Sequence, residues 1–240
     1  MSNLVVSSSL CEGIATQRRK LRKITKANVL FLDETHIRLS EAAQTTVVLP
    51  GEKPYVVVEE TTTYAKRYDM IACCTGQEVL PPIIFSPSDR EMIRTRGVNT
   101  KMLIKYIQDI LAQACGALDR WPLILVLDKA SIHNEAEIME AFRDNGCQDL
   151  AFIMKMPTQA GKRMSPVDNS LFHEWKERVR THNPLTDRNI VQIMSDEWNS
   201  LPKRHLAAYY QHCGLTTLKL PYFDCPQPLA HKHKSPRHGR

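Results

Sequence analysis

Two short apolar runs, each closed by a carboxylate, constrain this chain more than any other feature. Val-Leu-Phe-Leu at 29–32 runs into Asp33 and Glu34, and Leu-Ile-Leu-Val-Leu at 123–127 runs into Asp128. Runs this short and this apolar read as buried strands. If the two are neighbours in one sheet, both aspartates project at the same edge, a few ångström apart. Like charges held that close are costly unless a cation holds them. Hard oxygen donors on rigid strands suit Mg²⁺ or Mn²⁺. Two such ions about 3.5–4 Å apart activate a water and stabilise a leaving oxygen in phosphodiester cleavage. Taken singly, either aspartate reads equally well as a turn or cap residue.

A third carboxylate has to come from another element. Residues 165–177 offer Asp168 before a helix and Glu174 and Glu177 along it. A plain helix N-cap, which Asp fills well, is the competing reading of Asp168.

The remaining elements follow in order. The segment 37–39 continues the first strand, and 55–58, 68–74 and 79–85 read as further strands of an antiparallel meander. The paired prolines at 81–82 mark the last of them as bent or at an edge. At 100–118 the period changes. Met102, Leu103, Tyr106, Ile107, Ile110, Leu111 and Ala114 recur every three or four residues behind an Asn99 or Thr100 cap, which predicts an amphipathic helix. A helix leading directly into the strand at 123–128 implies a parallel crossover. Then come a helix over 134–145, a strand over 150–154, a polar loop over 157–163, a helix from Asn169, and two helices near 187–199 and 202–213. Strands first, then alternating helices and strands, describe an α/β fold with a mixed sheet.

The bulk numbers set limits. A net charge of +6 and a pI near 8.9 are compatible with an anionic partner. No apolar run approaches the ~20 residues of a membrane span, and residues 1–10 do not read as a secretory signal. Seven cysteines, odd in number and irregular in spacing, read as reduced thiols. Arg18, Arg19, Lys20, Arg22, Lys23 and Lys26 cluster ahead of the first strand, either as phosphate contacts or a nuclear-import signal, or as a solvated helix face.

Three blocks carry a resemblance: Leu-Asp-Glu-Thr-His at 32–36, Val-Leu-Asp-Lys-Ala-Ser-Ile-His at 126–133, and Ser-Pro-Val-Asp-Asn-Ser-Leu-Phe at 165–172. In this order and at these spacings they resemble the signature blocks of DDE/D transposases of the mariner and pogo type, and Pro-Gly-Glu-Lys-Pro at 50–54 resembles the loop after the first block. The likeness covers roughly residues 20–215. It implies a ribonuclease-H-like fold, a mixed sheet with helices on both faces, over a catalytic domain at 29–215. A basic segment at 1–28 precedes that domain and a basic tail at 216–240 follows it. It implies Mg²⁺- or Mn²⁺-dependent cleavage at transposon ends and strand transfer into target DNA, with two ions held by Asp33, Asp128 and Asp168. The pogo-type block places its acid where Asp168 stands, with a Phe four residues on. The mariner-type position is occupied by Phe172, which cannot ligate, and Glu174 is held in reserve. Lys129 stands where the family has Asn and joins the basic cluster as a DNA contact. The implied partners are double-stranded DNA and a second copy of the chain, with no membrane and no small-molecule cofactor. The implied location is the nucleus in a eukaryote and the cytoplasm otherwise. Family members carry helix-turn-helix modules ahead of the catalytic domain, and residues 1–28 do not hold one. A truncated or domesticated copy is therefore expected, with a catalytically inactive DNA- or protein-binding remnant as the alternative.

His133, five residues past Asp128, reads as a hydrogen-bonded structural histidine in preference to a phosphate- or water-positioning one. His205, His212, Cys213 and Cys225 fit no zinc spacing. Trp175 and Trp198 read as core.

Overall fold

The computed structural model describes residues 13, 28–39, 51, 66–117, 123–147, 150–182 and 185–215. The basic cluster at 18–26, the loop at 52–54, the run at 55–58, Cys225 and the tail at 216–240 lie outside the described residues.

The first strands are β1 (Asn28–Arg38), β2 (Arg67–Cys74) and β3 (Ile83–Phe85); β4 (Leu123–Leu127) and β5 (Leu150–Lys155) come later. They form one sheet in the order β3-β2-β1-β4-β5. β1 pairs antiparallel with β2 and parallel with β4, and β4 pairs parallel with β5. The sheet therefore changes character at β1. All of β4 is buried, as an inner parallel strand covered on both faces must be. Alternation along β1 sends Leu30 and Leu32 into one core and Phe31 and Ile37 into the other.

Among the described residues, seven helical elements cover the two faces. α1 (Pro87–Ile93) opens with a capping box in which Ser86 and Asp89 satisfy each other's backbone N–H. α2 is one continuous helix: an α segment (Thr100–Tyr106), a wide π turn (Ile107–Leu111) and a second α segment (Ala112–Gly116). Together with α3 (Glu135–Asp144) it covers the Leu30 and Leu32 face. The opposite face is covered by α4 (Gly161–Met164), α5, α6 (Ile190–Asn199) and α7 (Lys203–His212). α5 begins with a π turn (Val167–Leu171) and continues as an α-helix (Phe172–Arg180).

Three large side chains fasten this second face. Trp175 and Trp198 are fully buried, and their indole N–H groups donate to the carbonyls of Met194 (3.0 Å) and Leu80 (2.9 Å). A buried indole needs such a partner. The Tyr210 hydroxyl donates to the carbonyls of Val29 (3.0 Å) and Cys74 (2.9 Å), which pins α7 to β1 and β2. Both tryptophans are thus core, as expected. The cysteines among the described residues, Cys73, Cys74, Cys115, Cys147 and Cys213, are buried free thiols.

β1 runs on to Arg38, as the reading of 37–39 as its continuation expected, because β2 keeps pairing with it from Phe31 to Arg38 after β4 has ended. Other boundaries differ from the sequence reading. Val79 makes only an isolated bridge to Cys74, so the meander's last strand shrinks to Ile83–Phe85. The polar loop after β5 holds the short α4, and α5 begins two residues before Asn169 because Pro166 suits a first helical turn. α1 was not foreseen. Its one turn of charged residues has no buried side chain and so no apolar period to read.

Candidate active site

The last registered pair between β1 and β4 is Phe31 with Val126. Two residues further along each chain stand Asp33 and Asp128. Continuing the same parallel register places them opposite one another, at the carboxyl ends of the paired stretches. That crevice is where open α/β sheets bind ligands. Asp33 projects from the face that carries Phe31 and Ile37, the face covered by α5.

Asp33 is half-buried, and its Oδ1 accepts a hydrogen bond from the Glu34 N–H at 2.8 Å. Burial, reinforced by the charge of Glu34, pushes its pKa up to about 8. The Glu34 N–H opposes this shift, and the charges of Asp168 and Asp128 add to it. Asp168 therefore comes within electrostatic reach of Asp33 from a different element.

Asp168 lies in the first turn of α5, the π turn, and is exposed while its neighbours Val167 and Leu171 are buried. A π turn inserts one extra residue and re-aims the side chains on it, and such turns concentrate at functional sites. Buried Ser165 accepts the Asp168 N–H at 3.1 Å, so Ser165, not Asp168, satisfies this orphan helix-start donor. Gly161 faces the carboxylate, and a Cβ there would lie 2.5 Å from Asp168 Oδ2.

The DDE superfamily endonuclease family matches residues 28–189, well over half of the chain. The chain belongs to that family. Solved structures of low sequence identity share its fold. The Mos1 transposase paired-end complex with left transposon end is 13% identical with a TM-score of 0.60, the match covering 89% of this chain and 62% of that one. The catalytic domain of Mos1 mariner transposase is 11% identical with a TM-score of 0.56, over 89% of this chain and 91% of that one. The Mos1 mariner paired-end complex with Mn is 12% identical with a TM-score of 0.62. This chain thus spans about three fifths of the chain in the transposon-end complexes, and its sheet and helices form the ribonuclease-H-like fold of the catalytic domain. No curated protein matches the sequence.

In this DDE endonuclease chain the donor set suits a hard divalent cation: carboxylate oxygens, brought together from two strands and a helix. Among the described residues, no three His, Cys, Asp or Glu side chains close tightly enough to enclose an ion.

His133 is the buried, hydrogen-bonded histidine that the sequence led one to expect, and it bridges two acids. Its buried ring lies 2.8 Å from Asp128 Oδ1 through Nδ1 and 2.9 Å from Glu34 Oε1 through Nε2. Burial pulls the ring's pKa down, but the hydrogen bonds to Asp128 and Glu34 outweigh it and push the pKa up to about 10. In return the His133 hydrogen bond holds Asp128 below the usual carboxylate range against partial burial, aided by the Ala130 N–H at 2.8 Å and the charge of Lys155. Glu34 and Lys155 were not read as site residues. The signal for Glu34 was its adjacency to Asp33: successive strand residues point to opposite faces, so each acid needs its own partner.

Glu174 and Glu177 have partners of their own. Glu174 is engaged by His205 Nδ1 at 2.9 Å and by the Tyr209 hydroxyl at 2.6 Å, both on α7. Glu177 accepts from Arg180 at 2.6 Å. Lys129 is exposed and makes no ion pair with Asp128. Cys213 Sγ accepts from Asn169 Nδ2 at 3.7 Å, and His205 belongs to Glu174, so neither is arranged as a zinc ligand.

Proposed function

We propose that this chain is the metal-dependent DNA endonuclease and strand-transferase domain of a transposase, acting on double-stranded DNA at transposon ends. The observation that supports the reading is that Asp33 and Asp128 each follow the last registered pair of β1 and β4, Phe31 with Val126, by two residues in a DDE endonuclease fold, with Asp168 within electrostatic reach of Asp33. Asp33, Asp128 and Asp168 would hold the cations, two Mg²⁺ or Mn²⁺ ions. When bound, such ions activate a water or a 3′-hydroxyl and stabilise the leaving oxygen.

The protein's own groups have separable parts. His133 and Lys155 keep Asp128 ionised and ready to ligate. Asp33 must give up its proton to ligate, so cation uptake tightens as pH rises toward 8. Lys129, exposed beside Asp128, and the basic residues Arg18, Arg19, Lys20, Arg22 and Lys23 would contact DNA phosphates. Pairing of two DNA ends by a homodimer belongs to the same proposal.

The test is nicking of a labelled duplex by the purified chain with Mg²⁺ or Mn²⁺, beside Asp128→Ala. Metal-dependent nicking that the substitution abolishes supports the reading. Lys129, standing beside Asp128 where the family has Asn, favours a second reading, a catalytically inactive DNA- or protein-binding remnant. DNA binding without nicking at any metal concentration, or equal nicking by Asp128→Ala, would establish it.

A further inference from the structure

We infer that His133 is a positioning residue which selects the oxygen of Asp128 that faces the site, and that Glu34 is its anchor and not a cation ligand; this rests on the metal-dependent reading above. Two groups meet the Asp128 carboxylate on the same atom, Oδ1: the Ala130 N–H donates to it at 2.8 Å, and His133 Nδ1 lies 2.8 Å from it and 3.3 Å from the Asp128 carbonyl. Oδ2 takes part in neither contact. Asp33 is handled in the same way: the Glu34 N–H takes its Oδ1 and leaves its Oδ2. A carboxylate with one oxygen pinned presents the other in a single rotamer, which is what a shared cation site needs.

The histidine itself cannot turn. Its side chain is fully buried, and its far nitrogen lies 2.9 Å from Glu34 Oε1. The two ring nitrogens thus face one acid each. Glu34 sits next to Asp33 in β1 but points to the other face of the sheet. It therefore locks the ring from behind, and one strand supplies both an acid of the site and the anchor for the acid opposite.

Two substitutions separate the halves of this bridge. In His133→Asn the amide nitrogen occupies the place of Nδ1 and can still donate to Asp128. In His133→Gln it occupies the place of Nε2 and can reach only Glu34. Mn²⁺ affinity is read from the spin-resonance signal of free Mn²⁺, independently of any activity, with melting curves alongside. The expected result is a loss of about 3-fold for His133→Asn, which keeps the contact to Asp128 but not the anchor, and a loss of about 10-fold or more for His133→Gln, with similar melting temperatures. A merely structural histidine would not distinguish the two. Should His133→Gln not fold, Glu34→Ala takes its place and must itself weaken Mn²⁺ binding. If wild type binds Mn²⁺, loses it in Asp128→Ala, and is matched by His133→Gln or by Glu34→Ala, the inference is overturned and the functional reading stands. If wild type binds no Mn²⁺, both fall.

Discussion

Gly161 stands directly against Asp168: a Cβ at residue 161 would lie 2.5 Å from the Asp168 Oδ2. Asp168 is exposed and its carboxyl group can swing aside, so the fold tolerates a methyl there while the carboxylate does not keep its place. Gly161→Ala is therefore expected to change the melting temperature by no more than about 2 °C yet to reduce nicking about 10-fold or more. Nicking at the wild-type rate would show that the position of Asp168 does not matter to the reaction.

The raised pKa of Asp33 makes a prediction with a definite sign. The group ionises near its ordinary 3.8 in the unfolded chain and at about 8 in the folded one. Between those values the folded state holds the extra proton, so stability falls as pH rises. Without added metal, Asp33→Asn is expected to flatten this decline and to melt roughly 4 °C or more above wild type at pH 8. His133, raised to about 10, adds a second decline above pH 6.5 that Asp33→Asn leaves in place. Parallel pH profiles for the two proteins would mean that Asp33 ionises normally.

Cation binding should relieve the same repulsion. Mn²⁺ at about 100 times its dissociation constant is expected to stabilise the wild type by about 2.7 kcal/mol, or roughly 5–10 °C, and the apparent affinity to rise between pH 6 and pH 8. Thermal melts with and without Mn²⁺ measure both. Asp128→Ala should show neither effect, and an undiminished shift in that variant would place the ion elsewhere.

Glu174 and Asp168 are separable by substitution. Because Glu174 is held by His205 and Tyr209, Glu174→Ala is expected to cost about 1–2 kcal/mol of stability and to leave nicking within about threefold of wild type. Asp168→Ala should do the reverse, abolishing nicking with little change in melting temperature. A common assay and a common melting series on the two variants decide which acid serves the site.

Much of this was legible from residue types and spacing. The apolar runs at 29–32 and 123–127 are real strands because a strand covered on both faces has to be apolar throughout. Helix starts at Asn99 and Asn134 were readable because each side chain accepts a hydrogen bond from its own helix start, Asn99 from the Met102 N–H and Asn134 from the Ala136 N–H. The π turns at Ile107–Leu111 and Val167–Leu171 were not readable. One residue added to a turn leaves the apolar pattern nearly unchanged.

The sequence by itself determined the strands that carry Asp33 and Asp128 and the helix that carries Asp168, because local period and capping are short-range properties. Only the tertiary structure decided who meets whom. The parallel register of β1 and β4 sets Asp33 opposite Asp128, and the packing of α7 on α5 commits Glu174 to His205 and Tyr209. The turn before α3 brings His133 between Glu34 and Asp128. Each of these pairings joins residues far apart in the chain. They are chosen by which buried donors and acceptors can satisfy one another once the two cores have closed, and no local pattern records that choice.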